Sequence, residues 1–361
     1  MKKILVVVLA VILLTAVFTG CASKTYEIAM ITDAGEIDDK SFNQGTWEGI
    51  VEYAKANDIS YKYYQPTEVS TDAYVAAIDL AVTGGAKIVV TPGYLFEPAI
   101  FVAQDKYPDV SFILLDGTPH NEDYSEYRIE KNVYSIFYAE QQSGFLAGYA
   151  AVKEGYTKLG FMGGMAVPAV IRFGYGFLQG AEYAANEMGV SSVEVKYHYT
   201  GDFAATPKNQ TTAATWFADG TQVIFAAGGK VGNSVMAAAE AADAKVIGVD
   251  VDQSPESKTV ITSAKKELAV SVQAGLKSYY DGAFKGGVSE TLDITIGAVG
   301  LPSDFSRFST FTQADYDAIY AKLVADTDGI RSGIVKDTDA DGNSVDVTAL
   351  PLSIVKVTVV E

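Results

Sequence analysis

What the chain has little of narrows it first. It carries one cysteine, Cys21, and two histidines, His120 and His198. A single cysteine excludes an internal disulfide and a cysteine-based zinc cluster, and two histidines exclude a histidine-rich metal site. Positive charge is scarce, with 27 Lys+Arg against 45 Asp+Glu and a formal charge of −18. Neutralising phosphates takes clustered Lys and Arg, so no nucleic acid is expected as a partner, and neither is charge-driven attachment to anionic lipid. No Gly/Ser-rich or Pro-rich linker interrupts the 361 residues. Also missing are a Gly-x-Ser-x-Gly elbow, a P-loop and a histidine pair for a metal, so the sequence predicts neither an enzyme nor a cofactor.

What is present is globular. Hydrophobic residues make up 48% of the chain, which excludes wholesale disorder, and the length suggests two domains. The start reads Met1-Lys2-Lys3 followed by an apolar run from Ile4 to Phe18, interrupted by Thr15. A basic start and an apolar run of about 15 residues form a secretory signal and are short for a spanning helix. The run ends Phe18-Thr19-Gly20-Cys21, which resembles a bacterial lipoprotein signal. The expectation is a leader over residues 1–20, cleaved before Cys21, with lipid on the Cys21 sulfur and amine. Several acyl chains anchor stably where one is marginal. The alternative is a transmembrane anchor with an inert Cys21. No later segment has the length and apolarity of a span, so membrane contact is expected through the N-terminal lipid only, with the body on the extracytoplasmic face of the cell membrane.

Short apolar runs then alternate with longer amphipathic ones. Strands are predicted at 28–32, 61–64, 87–90, 111–115, 133–137, 159–162, 193–197, 222–226 and 245–249. Helices are predicted at 42–55, 73–82, 98–106, 141–153, 169–188, 211–217 and 233–241. Alternation at this spacing means α/β architecture, with parallel sheets covered by helices on both faces. The rhythm runs twice, about 120 residues each time, enough for two doubly wound lobes. Ligands of such sheets bind at the carboxyl ends of the strands, so the residues standing there carry the functional argument.

After the first strand come Asp33 and, beyond a turn, Ser41, Phe42 and Asn43. Ser41 reads as the N-cap of the next helix. Phe42 with neighbouring amide and carboxylate groups can stack a flat ring and fix its edge, or it is a hydrophobic staple. Gly93 and Tyr94 follow the third strand and Asp116 the fourth. In the second half Gly201-Asp202-Phe203, Gly228-Gly229-Lys230 and Asp250 stand at strand ends. Carboxylates at Asp33, Asp116 and Asp250 accept hydrogen bonds from hydroxyls and ring N–H groups and repel phosphate. They point to a neutral, hydroxyl-bearing ligand. The glycines from 228 to 232 lack phosphate-loop spacing and read as a tight turn. Asp337 to Asn343 resembles the start of a calcium loop, but Thr348 stands where a bidentate Glu belongs; a hairpin turned by Asp341-Gly342 is the alternative. His120 is expected to be a solvated loop residue and His198 a structural one. A glycosidase could use paired carboxylates, and a sugar-binding protein would also combine aromatics with carboxylates.

The run from Thr32-Asp33 through Asp38-Asp39-Lys40-Ser41-Phe42-Asn43-Gln44-Gly45-Thr46-Trp47-Glu48-Gly49 resembles the opening signature of the basic membrane protein family. Ala139 to Tyr149, Arg172 to Phe177, Ala226 to Gly229, Ile247 to Gln253 and Thr262-Ser263 continue in family order. The resemblance spans roughly Glu27 to Gly287. It implies lipoprotein substrate-binding components of ABC transporters with a type I periplasmic-binding-protein fold: two Rossmann-like lobes with a hinge and a ligand cleft between them. The lobes would be residues 21–135 plus about 263–300, and 136–262 plus about 301–361. The ligand would be a nucleoside, with a purine base foremost, and the partners an ABC permease with its ATPase. Carried over residue by residue, Phe42 and Phe203 would stack on opposite faces of the base. Asp116 would meet the base edge with Asn43 nearby. Asp250 would hold the ribose hydroxyls with Gly228 and Lys266. Asp33, Tyr94 and Phe173 would line the same cleft. In place of the family's polar segment after the second aromatic stands Ala204-Ala205-Thr206-Pro207.

Overall fold

The computed structural model describes residues 25–361. The leader and Cys21 lie outside the described residues. The first lobe opens β1 (Ile28–Ile31), α1 (Phe42–Ala56), β2 (Tyr61–Tyr64), α2 (Thr71–Thr83), β3 (Ile88–Pro92), α3 (Glu97–Lys106), β4 (Ser111–Leu115) and β5 (Val133–Tyr138). The second opens α4 (Glu140–Lys153), β6 (Lys158–Gly163), α5 (Pro168–Met188), β7 (Val193–Tyr199), α6 (Pro207–Ala218), β8 (Val223–Ala227), α7 (Val231–Ala242), β9 (Lys245–Asp250) and β10 (Val260–Lys266). The chain then returns to the first lobe with α8 (Leu268–Tyr280) and β11 (Val288–Leu292). It ends on the second with β12 (Val299–Gly300), α9 (Gln313–Val324) and β13 (Val355–Val359).

The sheets are ordered β11-β5-β4-β3-β1-β2 and β12-β10-β9-β8-β6-β7-β13. Stripped of their late additions, both follow the doubly wound order 2-1-3-4-5, so β1 to β5 correspond to β6 to β10. All pairings are parallel except β10 with β12. β1, β3 and β8 are buried along their whole length, as central parallel strands covered by helices must be. The edge strand β2 is mostly open.

Two features position the cleft. First, α4 and α5 pack backbone to backbone. Gly144 and Gly148 of α4 lie against the Phe173 and Phe177 backbone, Gly176 and Gly180 of α5 against the Gln141 and Phe145 backbone, and a Cβ on Gly148 would lie 2.0 Å from the Phe177 carbonyl oxygen. This close approach brings the helix starts together, with Glu140 opening one and Arg172 in the first turns of the other. Second, the lobes are joined by three adjacent crossings. Ala139 and Glu267 bend alike, with φ/ψ of −87/66 and −80/61, near the inverse γ-turn. The crossings bond to one another: Ala139 N–H donates to the Leu292 carbonyl at 3.0 Å, and Glu267 N–H to Ala298 at 2.9 Å.

The lobe limits differ from expectation in detail. Ser263 to Lys265 pair with β9, and Lys265 and Lys266 pair with Gly300 and Val299 of β12, so these residues belong to the second sheet. The parallel ladder of β10 continues to the hinge before the chain crosses. Ser41 is not the side-chain cap of α1. Asp39 does that work, accepting from the N–H groups of Ser41, Asn43 and Gln44 at 2.9, 3.0 and 3.0 Å. His120 is buried, not solvated, with its ring 3.1 Å from a Glu97 oxygen. At residues 338–344 a single antiparallel bridge, Thr338 to Ser344, closes the hairpin.

Candidate functional site

A cleft lies between the carboxyl ends of the two sheets, holding about 650 Å³ of empty space when the solvent at its open mouth is included. Asp33, Phe42, Asn43, Tyr94 and Asp116 reach it from the first lobe; Phe173, Phe203, Gly228, Asp250 and Lys266 reach it from the second. All ten residues singled out in the sequence therefore line one space.

The local reasons can be followed residue by residue. Asp33 leaves β1 and is fixed by Asn43, whose side-chain N–H donates to it at 2.8 Å, and by the Gly35 N–H at 2.7 Å. Asn43 also donates to Asp39 at 3.0 Å. The capped start of α1 thus fixes the acid and amide beside Phe42. Gly93 has φ +126, and a Cβ there would lie 2.8 Å from the Asp33 carboxylate, so only glycine lets β3 end here. Asp116 and Asp250 stand at equivalent strand ends in the two lobes, and both are left-handed, with φ 57 and 65. Non-glycine residues held there mark constrained sites.

Lys266 is the hub, 3% exposed. Its Nζ lies 2.6 Å from Asp116 Oδ2, 3.0 Å from Glu140 Oε1 and 3.8 Å from Asp250 Oδ1. The rings of Phe42, Tyr138 and Phe173 surround it at 4.6, 5.2 and 5.3 Å from their centroids. Burial disfavours the ammonium, but Asp116, Glu140 and Asp250 together hold its pKa above the ordinary lysine value. Glu140 is also buried, and Arg172 and Lys266 outweigh that burial, keeping its carboxyl below the usual range. Arg172 Nε donates to Glu140 at 2.6 Å.

Asp116 is different. Burial pushes it up to about 7 against the pull of Lys266, and its Oδ1 is buried with no hydrogen-bond partner. Asp33 is likewise pushed up by burial, to about 6. Burial also raises Asp250, whose other oxygen accepts from the Ser41 hydroxyl across the cleft. The lobes touch again at the rim, where Lys230 pairs with Glu36 and, at 2.9 Å, with Asp38. Gln253 donates to the Lys40 carbonyl at 2.8 Å.

Sequence reading assigned no role to Asp39, Glu140 or Arg172. A signal for Glu140 existed: α4 is buried from Glu140 to Val152, and a carboxylate opening such a helix requires a cationic partner. Among the described residues no group of three acidic, His or Cys side chains could hold a metal ion, and no helix is long and apolar enough to cross a membrane.

Residues 26–331 match the family model described as ABC transporter substrate-binding protein PnrA-like. The chain is 31% identical to the ABC transporter nucleoside-binding protein BmpA of Lactococcus lactis subsp. cremoris, over 84% of this chain and 92% of the relative. It is 29% identical to basic membrane protein B of Borreliella burgdorferi, over 81% of this chain and 86% of that one. In fold it is similar to an ABC transporter solute-binding protein from Aeropyrum pernix K1, with TM-score 0.71 and 23% identity over 88% of this chain and 95% of the other. Two doubly wound lobes, a hinge of three crossings and a cleft between strand ends make the type I periplasmic-binding-protein fold, and with the family match they place the chain in the PnrA-like, basic membrane protein family of ABC transporter substrate-binding proteins.

Proposed function

We propose that this protein is the lipid-anchored, extracytoplasmic binding component of an ABC importer, and that it takes nucleosides, purine nucleosides foremost, by closing its lobes on them. The observation that carries the reading is the unpartnered, buried Asp116 Oδ1 in a cleft lined by aromatic rings from both lobes. A base N–H supplies the missing donor. Phe42 and Phe203 stack on the heterocycle, worth about 1–3 kcal/mol per base. Asp250, with Gly228 and Lys266, takes the ribose hydroxyls through charge-assisted bonds. The relative named as nucleoside-binding supports the same class.

Phosphorylated ligands fit poorly. The one lysine in the cleft is already engaged by three carboxylates, so a phosphate would meet unneutralised negative charge. Closure favours whichever ligand contacts both lobes, because only differential contact shifts the open–closed balance. The loaded, closed form is what a permease with its ATPase would recognise. Anchoring rests on lipidation at Cys21.

Calorimetry of the body lacking residues 1–21 against nucleosides, free bases, sugars and nucleotides tests the ligand. Nucleosides are expected to bind without turnover and nucleotides not to bind. Heat with a sugar and none with any nucleoside overturns the assignment, and release of free base from bound nucleoside points to an enzyme. Cys21→Ala is expected to abolish incorporation of labelled palmitate and to release the chain from membranes.

A further inference from the structure

The tail beyond the family match reaches the ligand network. The family model ends at residue 331, and the next segment lies along α5. The Val335 N–H donates to the Gln179 side-chain oxygen at 2.8 Å, and Gln179 returns a bond to the Val335 carbonyl at 2.9 Å. The Tyr175 hydroxyl donates to the Val345 carbonyl at 2.6 Å, and the Val345 N–H donates to the Asp337 carbonyl at 2.9 Å. These bonds clamp both arms of the hairpin and set the Asp337 carboxylate opposite Arg172, with both oxygens 3.4 Å from Nη1. From there the contacts run inward: Arg172 Nε to Glu140 at 2.6 Å, Glu140 to Lys266 at 3.0 Å, Lys266 to Asp116 at 2.6 Å. Glu140 and Lys266 each adjoin a hinge residue, Ala139 and Glu267.

We infer that Asp337 is a positioning residue of the binding cleft: by holding one end of the Arg172 guanidinium, it leaves Glu140 turned toward Lys266 and so sets the orientation and charge state of Asp116. The role rests on the nucleoside reading for its functional consequence, but its physical content does not. Without the Asp337 charge, Arg172 has Glu140 as its one remaining anionic contact among the described residues. Glu140 is then drawn from Lys266, and Lys266 turns more fully to Asp116 and Asp250. The charged or titratable groups facing Asp116 are Lys266 from β10, Glu140 from α4, Arg172 from α5, Glu97 from α3 and Tyr138 from β5. Removing the negative charge of Asp337 beside Arg172, with Arg172 retained, makes the potential at Asp116 more positive. Its carboxylate then persists to lower pH.

Asp337→Asn removes the charge and keeps the size. Well above the Asp116 midpoint, where protonation no longer enters, nucleoside affinity is expected to fall about three- to tenfold as Lys266 turns onto the carboxylate, the range of coupling through such a network. The acid limb of the affinity–pH profile should move to lower pH, and Asp337→Glu should restore both. Carboxyl-carbon NMR of Asp116 in the ligand-free protein should show the same downward shift of its titration. Affinity and Asp116 titration both unchanged in Asp337→Asn overturn the inference. So does a loss of affinity with the titration midpoint unmoved, since that is what loosened packing of the tail would give. A shifted Asp116 titration in a chain that binds no nucleoside at all leaves the role of Asp337 standing and overturns the ligand reading instead.

Discussion

At the scale of single residues, the buried acids of the first lobe tie stability and binding to pH with opposite signs. Burial holds Asp33 at about 6, Asp116 at about 7 and, with Thr118 N–H, Arg172 and Asp116 as smaller influences, Glu97 at about 8. Each is above the ordinary carboxyl value, so the folded chain binds more protons than the unfolded one across this window. Stability therefore rises as pH falls from about 8 towards 5, and is lost again as pH rises through the folded values. The ligand-free melting temperature should increase by at least about 2 °C over that interval; a fall on mild acidification would contradict the burial of these groups. Affinity should move the other way, because Lys266 holds Asp116 Oδ2 and a proton on Oδ1 takes the one oxygen left to accept from a base N–H. Asp116→Asn should weaken nucleoside binding about tenfold or more and flatten the pH profile. Calorimetry at three pH values reads both effects, and a variant binding like the wild type would remove Asp116 from the site.

At the scale of elements, the α4–α5 pair bears most directly on the site. A Cβ on Gly180 would lie 1.9 Å from the Phe145 carbonyl oxygen, and backbone cannot yield as a side-chain tip does. Gly180→Ala should cost about 3 kcal/mol or more, the upper range of overpacking, in a urea titration; a change below about 0.5 kcal/mol would mean that the helices are free to part. The elements also show what a sequence can and cannot reveal. The central strands were readable because burial on both faces leaves continuous apolar runs, and the strand-end residues followed from the doubly wound order. β13 was not read: Val355–Val359 is short, adds to the sheet edge beside β7, and half of it faces solvent. The cap by Asp39 was misassigned to Ser41 because both types cap helices, and only tertiary structure shows Ser41 donating to Asp250. The Asp337–Arg172–Glu140–Lys266 chain joins residues up to 165 positions apart and leaves no periodic trace.

At the scale of the whole molecule, the lobes are held together at two depths. Deep in the cleft, Asp250 is bound by Ser41 and faces Lys266. At the rim, Lys230 in the β8–α7 turn pairs with Glu36 and Asp38 in the β1–α1 loop. Glu36 and Asp38 are well exposed, so solvent screening keeps each pair weak. Such pairs do too little to hold an empty protein shut, but enough to change how long a loaded one stays closed. An ion pair formed only when the lobes meet acts on dissociation more than on encounter. Lys230→Ala should therefore raise the nucleoside dissociation rate about two- to fivefold with little change in association. The difference between variant and wild type should shrink as salt is raised, because added ions screen exposed charges. Stopped-flow release at low and high salt measures this directly. Equal dissociation rates at low salt would mean that the rim contact forms without bearing on closure, leaving the Ser41–Asp250 contact, the Gln253–Lys40 contact and the ligand to keep the lobes together.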